Sequence, residues 1–339
     1  GHVGNEWLKS FTVSLKNKGA IGLVVNIGPY ISSVPSQAIV FCEQNGFPLF
    51  TIPWKTRIID ISYEFCRRII ANEKRESTIA DAFRGIIRNP ATADDYSSML
   101  NRAGFYDDSS YTVISLSILR KSISITESVV RTTDMSLWRM LKKSGNHSSL
   151  FMKEGDLVAV RQNCSEEEIV MFCELLRPIA EQSADTEIYI GVSESVRGFA
   201  EISQAYEQSY AAMLTGRIKG KEHVFYRDIG LMKLIFGVKD KMILSSFAEE
   251  NLGVLHRYDS EKNTDYCSVL RKYLELNGSV LEAAAETGVH RNTINYKIRA
   301  IREILGRELD DHTKSMLMLA YLIEDVLDIY DNLNGGNKQ

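Results

Sequence analysis

The chain alternates between two hydrophobic periods. Short β-branched apolar runs bounded by turn residues predict strands, and stripes repeating every three to four residues predict helices. Residues 20–26 (Ala-Ile-Gly-Leu-Val-Val-Asn) form the first such run, stopped by Gly28-Pro29. Pro35 opens a helical stretch to about Asn45, suited to a first turn because no N–H donor is needed there. Gly46 ends it, and 48–52 (Pro-Leu-Phe-Thr-Ile) reads as a second strand. Strand, helix and strand at this spacing predict a right-handed parallel crossover. An amphipathic helix follows from Ile58 to about Ala71. The sheet implied by residues 1–72 is thin, so this span is expected to be a partial α/β domain. Gly28, Pro29, Pro35 and the Pro53-Trp54 pair could shape a ligand pocket at the strand ends. With no G-x-G-x-x-G or Walker motif beside them, they read instead as turn residues and a core Trp.

A helical connector is expected next, to about residue 104, broken near Asn89-Pro90. Then strand and helix patterns alternate: strand 111–119, helix 134–143, strands 148–152 and 156–161, helix 165–182, strand 187–192, helix 199–215 and strand 223–226. This β-α-β-β-α-β-α-β order predicts a ferredoxin-like α+β domain and resembles the nucleotide-cyclase-like (GGDEF-type) domains. Their catalytic hairpin carries two glycines and an acidic pair. Here it reads Met152-Lys153-Glu154-Gly155-Asp156-Leu157, with one glycine, and the first strand holds no carboxylate. Hard cations need converging oxygen ligands. Glu154 and Asp156 are therefore expected to be solvated hairpin charges in a degenerate domain, with no catalytic residue, metal or cofactor assigned.

From Asp265 onward the pattern sharpens. A helix over 266–276 presents Leu270, Tyr273 and Leu274 on one face and stops at Asn277-Gly278. Ser279 and Glu282 have capping-box spacing for a helix over Val280–Thr287. Ala284 and Gly288, small and four apart, suit the close approach of two helices crossing through a short turn, with Val289 plugging the angle. In the next helix, about 291–305, Ile294, Ile298, Ile301 and Leu305 form one apolar stripe. Asn292, Tyr296 and Arg299 lie opposite it and Asn295 flanks them. A helix-turn-helix whose second helix is polar at its start and basic along its length fits the major groove. Asn292, Asn295 and Arg299 are placed to read base edges. Lys297 and Arg302 are expected on phosphates, and His290, Arg291, Thr293 and Tyr296 complete the candidate DNA surface. The last helix, 313–330, is rich in Leu, Met and Ile beyond what one packing face needs, which points to a homodimer seam.

Composition changes this picture little. At 339 residues, 44% hydrophobic and 25% charged, the chain is multidomain and globular. Its five scattered cysteines, never C-x-x-C, fit free thiols in a reducing compartment rather than a disulfide or zinc framework. A net charge of −4 does not advertise a nucleic-acid binder, and residues 265–310 carry seven basic against seven acidic side chains. The basic excess is local to the second helix of the motif. No apolar run approaches the roughly 20 residues that span a bilayer. Gly1-His2-Val3-Gly4 lacks the start of a signal peptide, and Gly1-His2 reads as a cloning remnant. The expected location is cytoplasmic, with no membrane partner.

Leu270-Arg-Lys-Tyr-Leu-Glu-Leu-Asn-Gly-Ser279, followed by Ala284-x-x-x-Gly288-Val-His-Arg-Asn-Thr-Ile-Asn-Tyr-Lys-Ile298, resembles the C-terminal helix-turn-helix of the PucR/CdaR family of bacterial transcriptional regulators. The family's near-fixed His-Arg-Asn-Thr stands here at His290 to Thr293. Gly191-Val-Ser, Ala205-Tyr206, Ala211-Ala212 and Phe225-Tyr-x-Asp228-Ile-Gly-Leu231 are similar to its GGDEF-like middle domain. Gly22–Tyr30, Val34-Pro35 and Gly46-Phe-Pro-Leu49 are similar to the second half of its N-terminal domain. Members usually carry further N-terminal residues, so the sensory domain here is expected to be incomplete. The resemblance implies control of a catabolic operon, purine breakdown being the eponymous case, through double-stranded promoter DNA and a small-molecule effector. The expected organisation is a sensory domain (1–72), helical connector (73–106), GGDEF-like domain (107–228), helical linker (229–264) and all-α DNA-binding domain (265–332). The alternative is a protein that senses or processes nucleotides through the cyclase-like domain.

Overall fold

The computed structural model describes residues 6–120, 147–181 and 186–335. The chain divides into two compact units, residues 1–77 and 78–339. The helix expected over 134–143 lies outside the described residues.

In the first unit, α1 (Glu6–Asn17) precedes β1 (Leu23–Ile27), α2 (Ser36–Gln44) and β2 (Leu49–Pro53). The strands pair in parallel, Leu23 opposite Leu49 and Ile27 opposite Pro53, as the crossover required. Leu8, Val25 and Ala38 are buried together at the centre, with Leu23, Ile27 and Leu49 around them. α1 is an element beyond those expected, and Leu8, Phe11, Thr12 and Leu15 recur in it at helical spacing. Trp54 is not a core residue. It is 52% exposed, its ring edge-on to Tyr30 at 5.6 Å, and it lies across Gly28, where a Cβ would meet it at 2.7 Å. Gly28, Pro29 and Pro35 are turn residues as expected, and a cavity lies between α2 and β2. Val34, Ile39, Cys42, Glu43, Phe47 and Thr51 help line this open space of about 460 Å³.

The helix expected to end near Ala71 continues as α3 (Ile58–Arg88). No Pro or Gly interrupts it before Gly85, and its last turns bury Phe83 and Ile86 in the second unit. Asn89 then stops it, accepting the Ala91 N–H at 3.2 Å and starting the turn into α4 (Ala93–Ala103).

The middle sheet runs β4 (Ser148–Lys153), β5 (Asp156–Gln162), β3 (Ser110–Arg120), β6 (Thr186–Val192), β8 (His223–Phe225), with β7 (Val196–Arg197) on the start of β3. β3 is antiparallel to both neighbours, and β6 pairs with β8 in parallel. Period-two burial divides the side chains cleanly. Tyr111, Val113, Val158 and Val160 face α3, α4 and α6 (Ile202–Lys219). Ile114, Leu116, Leu157 and Ala159 face α5 (Glu166–Glu181). This is the expected ferredoxin-like plait. α6 lies so close over Gly191 that a Cβ there would strike the Ser209 carbonyl and the Met213 amide.

The remainder is helical: α7 (Met232–Gly237), α8 (Lys241–Lys262), α9 (Tyr266–Glu275), α10 (Val280–Thr287), α11 (Arg291–Leu305) and α12 (Asp311–Gly335). α9 to α12 enclose a core of Leu270, Tyr273, Leu274, Ile294, Ile298, Ile301 and Leu317, to which α8 contributes Leu252 and Leu255. The apolar surplus of α12 has an intramolecular explanation. Leu317, Ala320 and Tyr321 enter that core. One turn on, Ile323 and Val326 join Ala211, Ala212, Val224 and Leu244 beneath the middle domain. The helix is used twice within one chain, so its richness is no evidence for a dimer seam.

Candidate nucleic-acid interface

Each turn of the motif is fixed by a local rule. Asn277 and Gly278 both take positive φ, 53° and 80°, and end α9. The Ser279 hydroxyl accepts the Glu282 N–H at 3.3 Å, while the Ser279 N–H bonds to the Leu276 carbonyl at 3.0 Å instead of to Glu282. Half of the capping box is therefore used. Gly288 caps α10 at φ 68°, and a Cβ there would meet nothing within 4 Å. It is needed for its left-handed backbone, not for the close approach anticipated from its size. Val289 packs partly buried against the core, in the plugging position expected.

His290 is the N-cap of α11, in extended conformation. Its Nδ1 accepts the Asn292 N–H at 3.2 Å, which puts the neutral ring's proton on Nε2. Ile294, Ile298 and Ile301 are buried, at 1%, 4% and 0% exposure, and fix the rotation of the helix. That rotation leaves His290, Arg291, Asn292, Thr293, Asn295, Tyr296, Arg299 and Arg302 exposed. Tyr296 stands 69% open.

Lys297 behaves differently. Its Nζ lies 2.6 and 2.7 Å from the two Asp265 carboxylate oxygens, with 20% of its side chain exposed. It ties α11 to the start of α9 and is not presented for phosphate contact. Asp265 is 32 residues distant in sequence, and only the folded crossing of α9 and α11 brings the pair together. Arg302 approaches Glu308 at 3.5 Å but stays 43% exposed, and Arg291 and Arg299 make no ion pair among the described residues.

The far side of the motif is braced. Arg271 donates two 2.8 Å hydrogen bonds to Asp325, and the Tyr321 hydroxyl donates to the Cys267 carbonyl at 2.8 Å. Asp259, on α8, accepts from the Tyr266 and Cys267 N–H groups at 2.9 and 2.8 Å, capping α9 from outside its own sequence. Burial works against its charge, yet these bonds and that from the Thr264 hydroxyl outweigh it. The carboxyl lies below its ordinary range.

The middle-domain hairpin offers no comparable surface. Glu154 and Gly155 turn at φ 54° and 93°, and Glu154 is solvated beside Lys153. Asp156, expected to be solvated too, is 8% exposed. Burial pushes its carboxyl above the ordinary range, with a hydrogen bond from Ser117 and the charge of Arg217 pulling the other way. It is buried beside Ser117 and not solvated. No three or more His, Cys, Asp or Glu side chains converge among the described residues, and no described helix is long and apolar enough to cross a membrane.

A braced helix-turn-helix after a GGDEF-type plait, whose hairpin has a single glycine and a buried Asp156, defines a class: multidomain proteins with a C-terminal helix-turn-helix. Family models match in the same order. The Purine catabolism regulatory protein-like family covers residues 4–69, the GGDEF-like domain 88–213, and the PucR C-terminal helix-turn-helix domain 266–323. The chain belongs to the PucR family of transcriptional regulators. Over 146 residues, 42% of this chain and 36% of the relative, it is 25% identical to the proline-responsive transcriptional activator PutR of Bacillus subtilis (strain 168). Over 111 residues, 32% of this chain and 26% of the relative, it is 22% identical to the DNA-binding transcriptional activator AdeR of the same organism. These matches thus span about a third and a quarter of the relatives' lengths. The crystal structure of a regulator of polyketide synthase expression from Bifidobacterium adolescentis aligns with a TM-score of 0.36 and 18% identity, over 73% of this chain and 97% of that one.

Proposed function

We propose that the protein is a cytoplasmic DNA-binding transcriptional regulator, working as a homodimer and governed by a small-molecule effector. The observation that carries this is the fixed rotation of α11. Three buried isoleucines and the Lys297–Asp265 pair hold the helix so that Asn292, Asn295 and Arg299 project from one open face. Asn and Arg are the side chains that pair two-pronged with adenine and guanine edges. Arg291 and Arg302 flank them for phosphate contact. The middle domain acts as a scaffold and not as an enzyme, so GTP with magnesium or manganese should give no cyclic dinucleotide above a buffer control.

PutR is named for its response to proline, and an effector for this chain belongs to the same broad class of small metabolites; purine breakdown products are one candidate set. The cavity between α2 and β2, about 460 Å³, is of the size that holds such ligands. Selection from a random duplex library tests the central reading. A repeated half-site should be enriched and bound with an affinity that falls steeply with salt. A library that emerges with no enriched sequence, from protein shown to be folded, overturns it.

A further inference from the structure

Among the described residues, the largest concentration of uncovered apolar side chains is the first half of α3. Ile58, Ile59, Tyr63, Phe65, Ile69 and Ile70 are 57–70% exposed. Single exposed apolar residues are ordinary, but six within thirteen positions of one helix are a patch. At 3.6 residues per turn, Ile59, Ser62, Cys66 and Ile69 fall on one line, with the 3-4-3 spacing of a two-helix seam. Ile58 and Phe65 flank it on one side, Tyr63 and Ile70 on the other. The opposite side of the helix carries Asp60, Glu64, Arg67 and Arg68 beside the partly buried Ile61, and Glu64 is paired within the helix. Glu64 accepts from Arg67 at 3.0 and 3.1 Å and from Arg68 at 3.0 Å.

The order of these residues nearly mirrors itself about Glu64. Ile58-Ile59-Asp60 precedes it and Arg68-Ile69-Ile70 follows, with Tyr63 and Phe65 on either side. An antiparallel two-fold pair suits such a pattern, because residue i of one copy meets residue j of the other and j meets i, so like apolar side chains fall opposite each other. Centred on Glu64, an antiparallel pair sets Ile59 against Ile69 and Ser62 against Cys66. The two small side chains let the helices approach at the middle. The exposed Glu73, next on the seam line after Ile69, decides the direction. In a parallel pair it would face its own copy. In the antiparallel pair it lies beside the start of the other chain's α3, where the exposed Lys55 stands in the preceding turn. Six half-exposed large side chains offer roughly 700 Å² per copy, close to one side of a standard protein interface.

We propose that residues 55–73 form a self-association surface and that two copies of this chain pair along it, antiparallel about Glu64. This deepens the homodimer part of the reading above and rests on that part, not on DNA binding.

Sedimentation of the full chain at micromolar concentration tests the surface. The unaltered protein should be a dimer, and Ile59→Glu with Ile69→Glu should weaken it at least roughly 100-fold. Circular dichroism should not change, since neither side chain is buried. Lys55→Glu alone should weaken the dimer roughly 2–10-fold, and Lys55→Glu with Glu73→Lys should restore it. Oxidised Ser62→Cys protein should yield a peptide linking position 62 of one chain to Cys66 of another. A 62–62 or 66–66 link, or failure of the charge exchange to restore the dimer, overturns the antiparallel pairing. A full-strength dimer in the Ile59→Glu/Ile69→Glu protein overturns this surface but leaves a homodimer by another route. A monomeric unaltered protein overturns both, and anisotropy on the selected duplex then reports separately whether DNA binding survives.

Discussion

At the scale of single residues, the α11 face separates side chains that stand open from one that is held. Asn292 and Arg299 are exposed and unburdened by ion pairs among the described residues, so truncating either should cost specific affinity by about 1–3 kcal/mol. Lys297 is held by Asp265. Lys297→Ala should therefore lower the denaturation midpoint and leave the slope of affinity against salt nearly unchanged. Anisotropy across a salt series decides it, and a double Asn292→Ala/Arg299→Ala protein that binds at full strength would show that the reading face is elsewhere. Asp156 gives a different kind of forecast. Its folded pKa is raised chiefly by burial, against the pull of Ser117 and Arg217. A raised carboxyl favours the fold below its unfolded pKa, about 3.9, and that contribution is lost as pH rises through the folded value. At neutral pH the ionised group is a cost. Asp156→Asn, of similar shape and neutral, should match or exceed the parent in urea at pH 7, with the advantage gone near pH 4. A marked loss at pH 7 would show instead that pairing with Arg217 dominates.

At the scale of elements, what could be read from sequence was whatever neighbouring residues decide. The caps and stops of α9 to α11 were legible because Asn277-Gly278, Ser279 and Gly288 act on backbone groups within four positions of themselves. The isoleucine stripe of α11 was legible because a helix puts residues three and four apart on one side. Partners distant in sequence were not. Nothing local distinguishes Asp265 as the anchor of Lys297, Asp156 as buried rather than solvated, or Trp54 as half-open rather than core. α1 was not assigned although Asn5, a favoured N-cap residue type, precedes its stripe, and α3 outran its expected end because no Pro stops it before Asn89. One cap was assigned only as part of a motif. His290, expected on DNA, also closes the first turn of α11 through its ring. His290→Ala should cost about 1 kcal/mol of stability in thermal unfolding, and His290→Asp, a strong cap, should recover it without restoring any DNA contact the ring makes. Equal melting of the parent and the alanine protein would remove the capping role.

At the scale of the whole second unit, α12 couples the DNA-binding motif to the plait. Its first half completes the core around Ile294 and Ile298, and its second half is buried against α6 and α7. A signal that altered the packing of the plait would therefore reach α11 through one continuous helix, with no flexible joint between. The same arrangement ties their stabilities together. Elements that share a buried cluster unfold as one cooperative unit when the cluster outweighs the stability of each part alone. Val326 and Ile323, 0% and 3% exposed, are the α12 side chains deepest in that cluster. Val326→Asp would bury a carboxylate among apolar groups with no cation designed to meet it, a cost of several kcal/mol that falls on the junction and not on the motif's own core. In differential scanning calorimetry the parent should show the middle domain and motif melting together, and Val326→Asp should lower that transition and divide it in two. Leu281→Asp, at a site 72% exposed, is the control and should leave the trace unchanged. An undivided and unshifted transition in the Val326→Asp protein would mean that the junction carries no stability, and that the motif is only tethered to the plait.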